Sequence, residues 1–192
     1  MSASATFVEF LMYAEDWEAL SQEGRKAFEK FPKETAFLEM ASVGDYNLKR
    51  YDDVLQICEK VLEVAPNDSS KTLRAWSTIG DIWHQKGEAK KSYKAYEKAL
   101  KINPDYIYVL NNYAYYLSLL GERLDEAEQM SYRTVKAEPE NATYLDTYAW
   151  ILYHLGNYKD ALFYIERAMS ITSGENKEIT EHFHAIKKKL GL

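Results

Sequence analysis

The feature that most constrains this chain is a pattern of small and aromatic residues that returns every 34 or 35 positions. Residues 110–117 read LNNYAYYL, and residues 145–152 read LDTYAWIL, 35 positions later. Residues 76–83 read WSTIGDIW, 34 positions before the first of these copies. Each copy is followed four residues on by a glycine. A fixed period of this length is typical of repeat proteins, whose units bury their apolar faces by stacking on one another.

Each recurring residue type has a structural reason within a helix pair. A small residue lets one helix approach its partner closely, and it stands at the same position of each copy: Gly80, Ala114 and Ala149. A glycine that follows a helix is typical of a left-handed terminating residue, and three are so placed: Gly87, Gly121 and Gly156. Proline cannot continue a helix, and four prolines close the second helices: Pro32, Pro66, Pro104 and Pro139. The pattern therefore predicts helix–turn–helix pairs.

This pattern resembles the tetratricopeptide repeat (TPR) family, whose signature is W-x-x-L-G-x-x-Y followed by A, F, A and P. The third pair carries most of it, at Trp76, Ile79, Gly80, Trp83, Tyr96, Ala99 and Pro104. Ser92 stands where the family usually has a small alanine. The resemblance covers nearly the whole chain and is closest in the last three pairs. It implies an all-α, right-handed superhelical α-solenoid of antiparallel helix pairs.

The spacing of the prolines and the small residues sets the expected boundaries. Residues 1–192 form a single TPR array of about five pairs and a C-terminal capping helix: 1–34, 35–72, 73–106, 107–141, 142–175 and 176–190. About four residues are inserted around residues 67–71, and one extra residue lengthens the turn near Arg123. The chain is also interpretable as the C-terminal part of a longer protein. The sequences of its repeats are similar to those of bacterial members of the family.

Composition and motifs exclude several classes of function. The net charge of −6 and the pI near 5.3 argue against nucleic acid as a partner, since such a surface must be basic. The sequence has no run of about 18 apolar residues, so we expect no membrane insertion. It also has no phosphate-binding loop and no metal-binding or catalytic motif, so we expect a protein that is not an enzyme and has no cofactor or metal. Cys58 is predicted to be a small core residue.

The expected function is a non-catalytic scaffold or adaptor for a protein or peptide partner. In the TPR family the first helices line a concave groove in which partner segments lie, and the resemblance implies the same here. The face opposite the packing residues mixes aromatic and amide side chains, which grip apolar side chains and peptide backbone. The predicted partner-binding residues are Arg74, Asp81, His84, Tyr108, Asn111, Asn112, Tyr115, Asp146, Trp150, Tyr153 and His154.

An alternative from another class is a structural spacer or a self-association domain. Its sticky surface would be the uncapped first pair, through which two copies would form a weak homodimer. The compartment is unknown from the sequence. A soluble cytoplasmic protein is the expectation unless a longer precursor carries an export signal.

Overall fold

The computed structural model describes residues 9–172 and 176–192 of the chain. This part of the chain contains no strand, and residues 9–13 are helical. Ten further helices follow in it: α1 (Trp17–Lys30), α2 (Ala36–Asn47), α3 (Tyr51–Val64), α4 (Ser69–Gln85), α5 (Ala89–Ile102), α6 (Ile107–Leu120), α7 (Leu124–Ala137), α8 (Ala142–His154), α9 (Tyr158–Thr172) and α10 (Lys177–Leu190). The all-α, TPR-like fold class is thus confirmed.

The chain divides into two compact units, one ending at Asn103 and the other beginning at Pro104. We call them the first unit, with α1–α5, and the second unit, with α6–α10. The insertion near residue 67 extends a helix, because α4 begins at Ser69, ahead of the predicted pair boundary at residue 73. Asp68 caps α4 by accepting the backbone N–H of Lys71 at 3.1 Å. A single array over residues 1–192 stays a prediction.

The turns after the first helices follow the sequence prediction. Gly87, Gly121 and Gly156 have φ angles of +74°, +65° and +81°, in the left-handed region that glycine adopts without strain. The extra residue of the fourth pair is accommodated at Arg123, which is itself left-handed with φ +48°. Its guanidinium holds this turn in place by binding Glu126 at 2.7 Å and the Tyr113 hydroxyl at 2.6 Å.

In the first unit, α1 and α2 approach each other through two glycines, Gly24 and Gly44. A Cβ at Gly44 would lie 2.5 Å from the carbonyl oxygen of Trp17, so no side chain fits there. Beside this contact Asp45 is fully buried and accepts a hydrogen bond from the Ser21 hydroxyl at 2.7 Å. The Arg25 guanidinium also binds this carboxylate. The buried charge is thus paired, as burial of a carboxylate requires.

The tryptophans of the third pair pack against the core of the first unit without being fully enclosed. Trp76 and Trp83 are partly buried against a cluster that contains Val54, Val61 and Ile82. Their outer faces are covered by lysine side chains, with the Lys98 Nζ 3.7 Å from the Trp76 ring centroid. The Lys91 Nζ lies 4.1 Å from the centroid of Trp83. Both rings thus combine apolar packing with a cation–π contact.

The core of the second unit continues from α8 and α9 into the last helix. Leu145, Ala149 and Ile165 are fully buried, and α10 adds Ile179 and Ile186, which are 3% and 0% exposed. Burying two isoleucines contributes about 3–6 kcal/mol of transfer free energy, so α10 is an integral element of this unit. Among the described residues, no helix has the length and apolar character needed to cross a membrane.

Candidate partner-binding surface

A cleft opens in the first unit between the first helices of two successive pairs, α2 and α4, with the second helix α3 at its floor. The cleft is open to solvent. Its lining residues come from all three helices: Glu39, Ser42, Val43, Ile57, Cys58, Val61, Lys71, Arg74, Ala75 and Thr78. The space exists because α2 and α4 face each other here through small side chains, Ser42, Ala75 and Thr78.

The floor of this cleft is apolar. Ile57, Cys58 and Val61 are each 4% exposed. Burial raises the pKa of the Cys58 thiol to about 12, so the side chain stays a neutral thiol at physiological pH. Cys58 is therefore a small apolar residue of the floor, in agreement with the sequence prediction, and it is not a reactive nucleophile.

The rim of the cleft carries charge. The Nη2 of Arg74 donates to both carboxylate oxygens of Glu39 at 3.1 Å, which joins α4 to α2 across the cleft. The Nη1 of Arg74 donates to the Ser70 hydroxyl at 3.1 Å. Lys71 lies one turn before Arg74, with its Nζ 3.6 Å from the Asp68 carboxylate. Since both partners of the Glu39–Arg74 pair are about half exposed, the pair is weak and exchangeable.

Two apolar side chains of α2 extend the cleft along its helix. Val43 and Tyr46 are 39% and 43% exposed. Partial burial raises the pKa of Tyr46, and the charge of Asp81 adds to the shift. Asp81 accepts a hydrogen bond from the hydroxyl of the buried Tyr96 at 2.5 Å. His84 is half-buried, and desolvation lowers its pKa.

Of the predicted binding residues in the first unit, Arg74 lies on the cleft itself, and Asp81 and His84 follow it along α4. The contribution of α2 was missed. Four of its residues line or extend the cleft: Glu39, Ser42, Val43 and Tyr46. Their spacing of three and four residues is the signal of one helix face, but the weaker family pattern of the second pair concealed it.

In the second unit, the predicted residues on α6 differ in exposure. Tyr108 is 44% exposed, whereas Asn111 is only 5% exposed. Asn112 is half-buried and lies 3.4 Å from Asn111 through their side-chain amides. The Tyr115 hydroxyl donates to the Glu178 carboxylate of α10 at 2.5 Å. Burial raises the pKa of Tyr115, and the Glu178 hydrogen bond raises it further.

The predicted residues on α8 lie beneath and beside α10. Asp146 is 6% exposed and lies 2.8 Å from the Nδ1 of His182, which is also buried. The His182 ring stacks on Trp150 with a centroid distance of 3.9 Å and an interplanar angle of 14°. Tyr153 is nearly parallel to the same indole at 4.7 Å, and His154 meets it edge-on at 4.9 Å. Trp150 is thus the centre of an aromatic cluster.

Electrostatics in this cluster follow from its burial. Desolvation raises the pKa of Asp146, and the hydrogen bond from His182 partly offsets that effect. Desolvation lowers the pKa of His154, and the proximity of His182 adds to the lowering. Among the residues that the structure describes, no group of three His, Cys, Asp or Glu side chains is placed to hold a metal ion.

The structure therefore separates the predicted set into two environments. In the first unit Arg74 lies on an open cleft, whereas in the second unit Tyr115, Asp146 and Trp150 contact the chain's own last helix. Their role toward a partner stays a prediction. Asn111 and Asp146 are enclosed and can act only by positioning their neighbours, whereas Tyr108 and His154 keep exposed surface.

Comparison with solved structures finds the same fold in several proteins. PilW, described as a widely conserved type IV pilus biogenesis factor, superimposes with a TM-score of 0.80 at 17% identity, over 97% of this chain and 84% of its own. A tetratricopeptide repeat protein from Parabacteroides merdae superimposes with a TM-score of 0.76 at 14% identity, over 97% of this chain and 72% of its own. YrrB, described as a TPR protein with an unusual peptide-binding site, superimposes with a TM-score of 0.68 at 17% identity, over 95% of this chain and 89% of its own.

A search of curated proteins found no match. Residues 66–179 match a family model described as the cytochrome c-type biogenesis protein H TPR domain. The matched segment runs from the end of α3 into α10 and includes the three pairs whose signature residues are most complete. This chain is therefore a TPR protein that belongs to the cytochrome c-type biogenesis protein H TPR domain family.

Proposed function

We propose that this protein is a non-catalytic scaffold that binds a segment of another protein, and that the cleft between α2 and α4 receives an apolar side chain of that segment. The observation that carries the proposal is the combination of an apolar floor with a polar rim in an open cleft. Binding sites typically have this composition, in which the apolar part supplies affinity and a few polar groups fix orientation.

The floor and the rim have separate physical tasks. Burying a leucine-sized side chain against Ile57 and Val61 contributes about 1.5–3 kcal/mol. Ser42 and Thr78 also line the cleft, and their hydroxyls can hydrogen-bond to backbone groups of the bound segment. Exposed Tyr46 adds an amphipathic surface of the kind enriched at interfaces.

The comparisons support a protein as the partner class. YrrB, which shares the fold, is described as having a peptide-binding site. The family description connects such domains to cytochrome c-type biogenesis, so a protein of that process is the favoured partner. Tyr108 and His154, the exposed predicted residues of the second unit, stay separate candidates for contacts to a partner.

The proposal is tested by filling the cleft. Ser42→Phe places a ring in the space that the partner side chain would occupy, and Lys94→Ala removes an exposed side chain of α5 that lies outside the cleft. Partners captured by the wild-type chain are measured by calorimetry against both variants. We expect Ser42→Phe to weaken binding about tenfold or more, as loss of an interface anchor does, with its thermal midpoint retained. Equal affinities for all three proteins would exclude the cleft.

A second candidate function, self-association, is favoured by apolar residues ahead of α1. Phe10, Met12 and Tyr13 are 62%, 45% and 90% exposed. Large exposed apolar patches mark interaction surfaces. Sedimentation at increasing concentration tests this candidate: a dimer that Tyr13→Lys dissociates supports it, and a monomer throughout excludes it.

A further inference from the structure

The charge on the lining of the first-unit cleft is unusual for this protein. The chain carries a net charge of −6, yet the lining contains two cations, Lys71 and Arg74, and one carboxylate, Glu39. Both cations lie in the first two turns of α4, where the helix dipole adds positive potential. The lining itself thus carries one more cation than carboxylates, and Asp68 beside it pairs with Lys71 at 3.6 Å, so both cations already bind carboxylates.

The Glu39–Arg74 pair shows that the rim of the cleft can bind a carboxylate. The guanidinium of Arg74 already contacts both oxygens of a side-chain carboxylate at 3.1 Å. Because about half of each side chain is exposed, the pair contributes little to stability and a second carboxylate can replace Glu39 at small cost. The Nζ of Lys71 lies 3.6 Å from the carboxylate of Asp68, whose side chain is about half exposed.

We propose that the bound segment presents an apolar side chain next to an aspartate or glutamate, whose carboxylate binds Arg74 and Lys71 while the apolar side chain enters the cleft. This inference rests on the proposed function and specifies its partner chemistry. Glu39 is then an internal competitor: it occupies Arg74 in the free protein and is displaced when the partner carboxylate arrives.

The experiment begins with a selection. Short random peptides displayed at the amino terminus of a phage coat protein, and therefore without a free carboxyl terminus, are selected on the full chain and in parallel on Ser42→Phe. We expect the peptides that depend on the open cleft to be enriched in an apolar residue with an acidic residue one or two positions away. Enrichment of apolar residues without acidic neighbours would overturn the inference and leave the proposed function standing.

Matched variants then test the charge directly. The best synthetic peptide, with an amidated carboxyl terminus, is compared with the same peptide carrying Gln or Asn in place of its acidic residue. We expect the acidic form to bind about threefold more tightly, the scale of an exposed ion pair, and Arg74→Gln to abolish this difference. Glu39→Gln removes the competitor and is expected to tighten binding of the acidic peptide by about twofold or more.

The outcomes separate the two proposals. If the acidic and neutral peptides bind the wild-type chain equally, the carboxylate inference is wrong while cleft binding is retained. A requirement for a free peptide carboxyl terminus would also contradict it, because the anion would then be terminal. If no selected peptide distinguishes the wild-type chain from Ser42→Phe, the cleft is not the binding position and both proposals fail. Amide chemical shifts of Val43 and Thr78 on titration report directly whether the cleft is occupied.

Discussion

The two units place very different side chains at the surface where a partner was predicted to bind. In the first unit, Ser42 and Thr78 are small and leave an open cleft above an apolar floor. In the second unit, Tyr115 and Trp150 are large, and α10 contacts both of them through Glu178 and His182. The same repeat therefore leaves an open cleft in the first unit, where the side chains are small. In the second unit, where they are large and a further helix follows, it forms a packed aromatic cluster.

The two units also differ in how helices within a pair fit together. Gly80 faces the ring of the buried Tyr96, and a Cβ on Gly80 would lie 2.4 Å from it. At the equivalent positions of the next pair, 34 and 35 residues on, stand Ala114 and Ser131, both fully buried. A larger residue on one helix is thus compensated by a smaller one on the other, because helix axes can approach only as far as the contact side chains allow.

The largest expected effect separates packing from binding in the second unit. Trp150→Ala should lower the free energy of unfolding by about 3 kcal/mol, since it removes an aromatic ring that stacks on His182 and Tyr153 and leaves a void. Chemical denaturation measures this change. Trp150→Phe is the control, because it keeps a ring and removes an indole N–H that is buried without an acceptor in the described part of the chain.

A stability of Trp150→Ala close to that of the wild type would mean that the indole is free to serve a partner. The second unit would then resemble the first in offering an open surface. That result would support the prediction from the sequence that Trp150 lines an aromatic groove for a partner.

The next effect concerns the fit within the third pair. Gly80→Ala should destabilise the protein by about 2–3 kcal/mol, because the added methyl group overlaps the fully buried Tyr96 ring and forces it to shift. Adding Tyr96→Ser reproduces the combination found at Ala114 and Ser131. We expect the double variant to lose less stability than the sum of the single changes. Additive losses would show that the two positions do not compensate each other.

The third effect uses pH to examine the contact between α8 and α10. His182→Leu removes the partner of Asp146 and should cost about 2 kcal/mol at neutral pH, the scale of a buried group left unpaired. Burial raises the pKa of Asp146 in the folded protein above its ordinary value of 3.8. Stability from such a group is present below the unfolded pKa and is lost as pH rises through the folded pKa.

The loss of stability in His182→Leu should therefore be smaller at about pH 4 than at about pH 7, because the protonated Asp146 carboxyl is neutral and costs less to bury without a partner. Urea denaturation at both values measures the difference. Combining His182→Leu with Asp146→Asn removes the charge, and this variant should show no such pH dependence. If His182→Leu alone lost the same free energy of unfolding at both pH values, Asp146 would have to reach solvent when His182 is absent.

Much of the fold could be predicted because its determinants are local. The 34- and 35-residue periods, the prolines and the left-handed glycines at 87, 121 and 156 each act within one turn or one helix pair. The position of α10 on the predicted groove residues was harder to anticipate, although one signal was present. His182 stands 36 residues after Asp146, about one repeat, so α10 continues the first-helix pattern as well as covering the core.

The open cleft could not be predicted from the same signals because it is defined by missing volume. Ser42, Ala75 and Thr78 are unremarkable residues in sequence, and only the distance between α2 and α4 makes their small size matter. Large aromatics such as Trp150 attract attention as binding residues, yet their size also makes them the best side chains for filling a packed surface.

The smallest expected effect concerns one position that the two units use differently. Arg133 and Arg167 stand 34 residues apart on α7 and α9, and each donates from Nη2 to the carbonyl oxygen of the proline in the preceding turn, Pro104 at 2.7 Å and Pro139 at 2.9 Å. Lys98 holds the same position 35 residues before Arg133, but its Nζ lies over the Trp76 ring.

Arg167 also pairs with Glu140 at 2.9 Å, so its planar guanidinium joins a carbonyl and a carboxylate in one contact. Both bonds come from the same nitrogen, Nη2. A lysine side chain is shorter, so its Nζ would not reach both acceptors from the same backbone position, and Arg167→Lys should cost about 0.5–1 kcal/mol. Lys98→Arg should be close to neutral, because arginine keeps the cation–π contact with Trp76. Denaturant midpoints of the two variants measure this contrast. The opposite result would be that Lys98→Arg stabilises the protein as much as Arg167→Lys destabilises it. An arginine at this position would then stabilise the preceding turn in either unit, and the contact of Lys98 with Trp76 would contribute little.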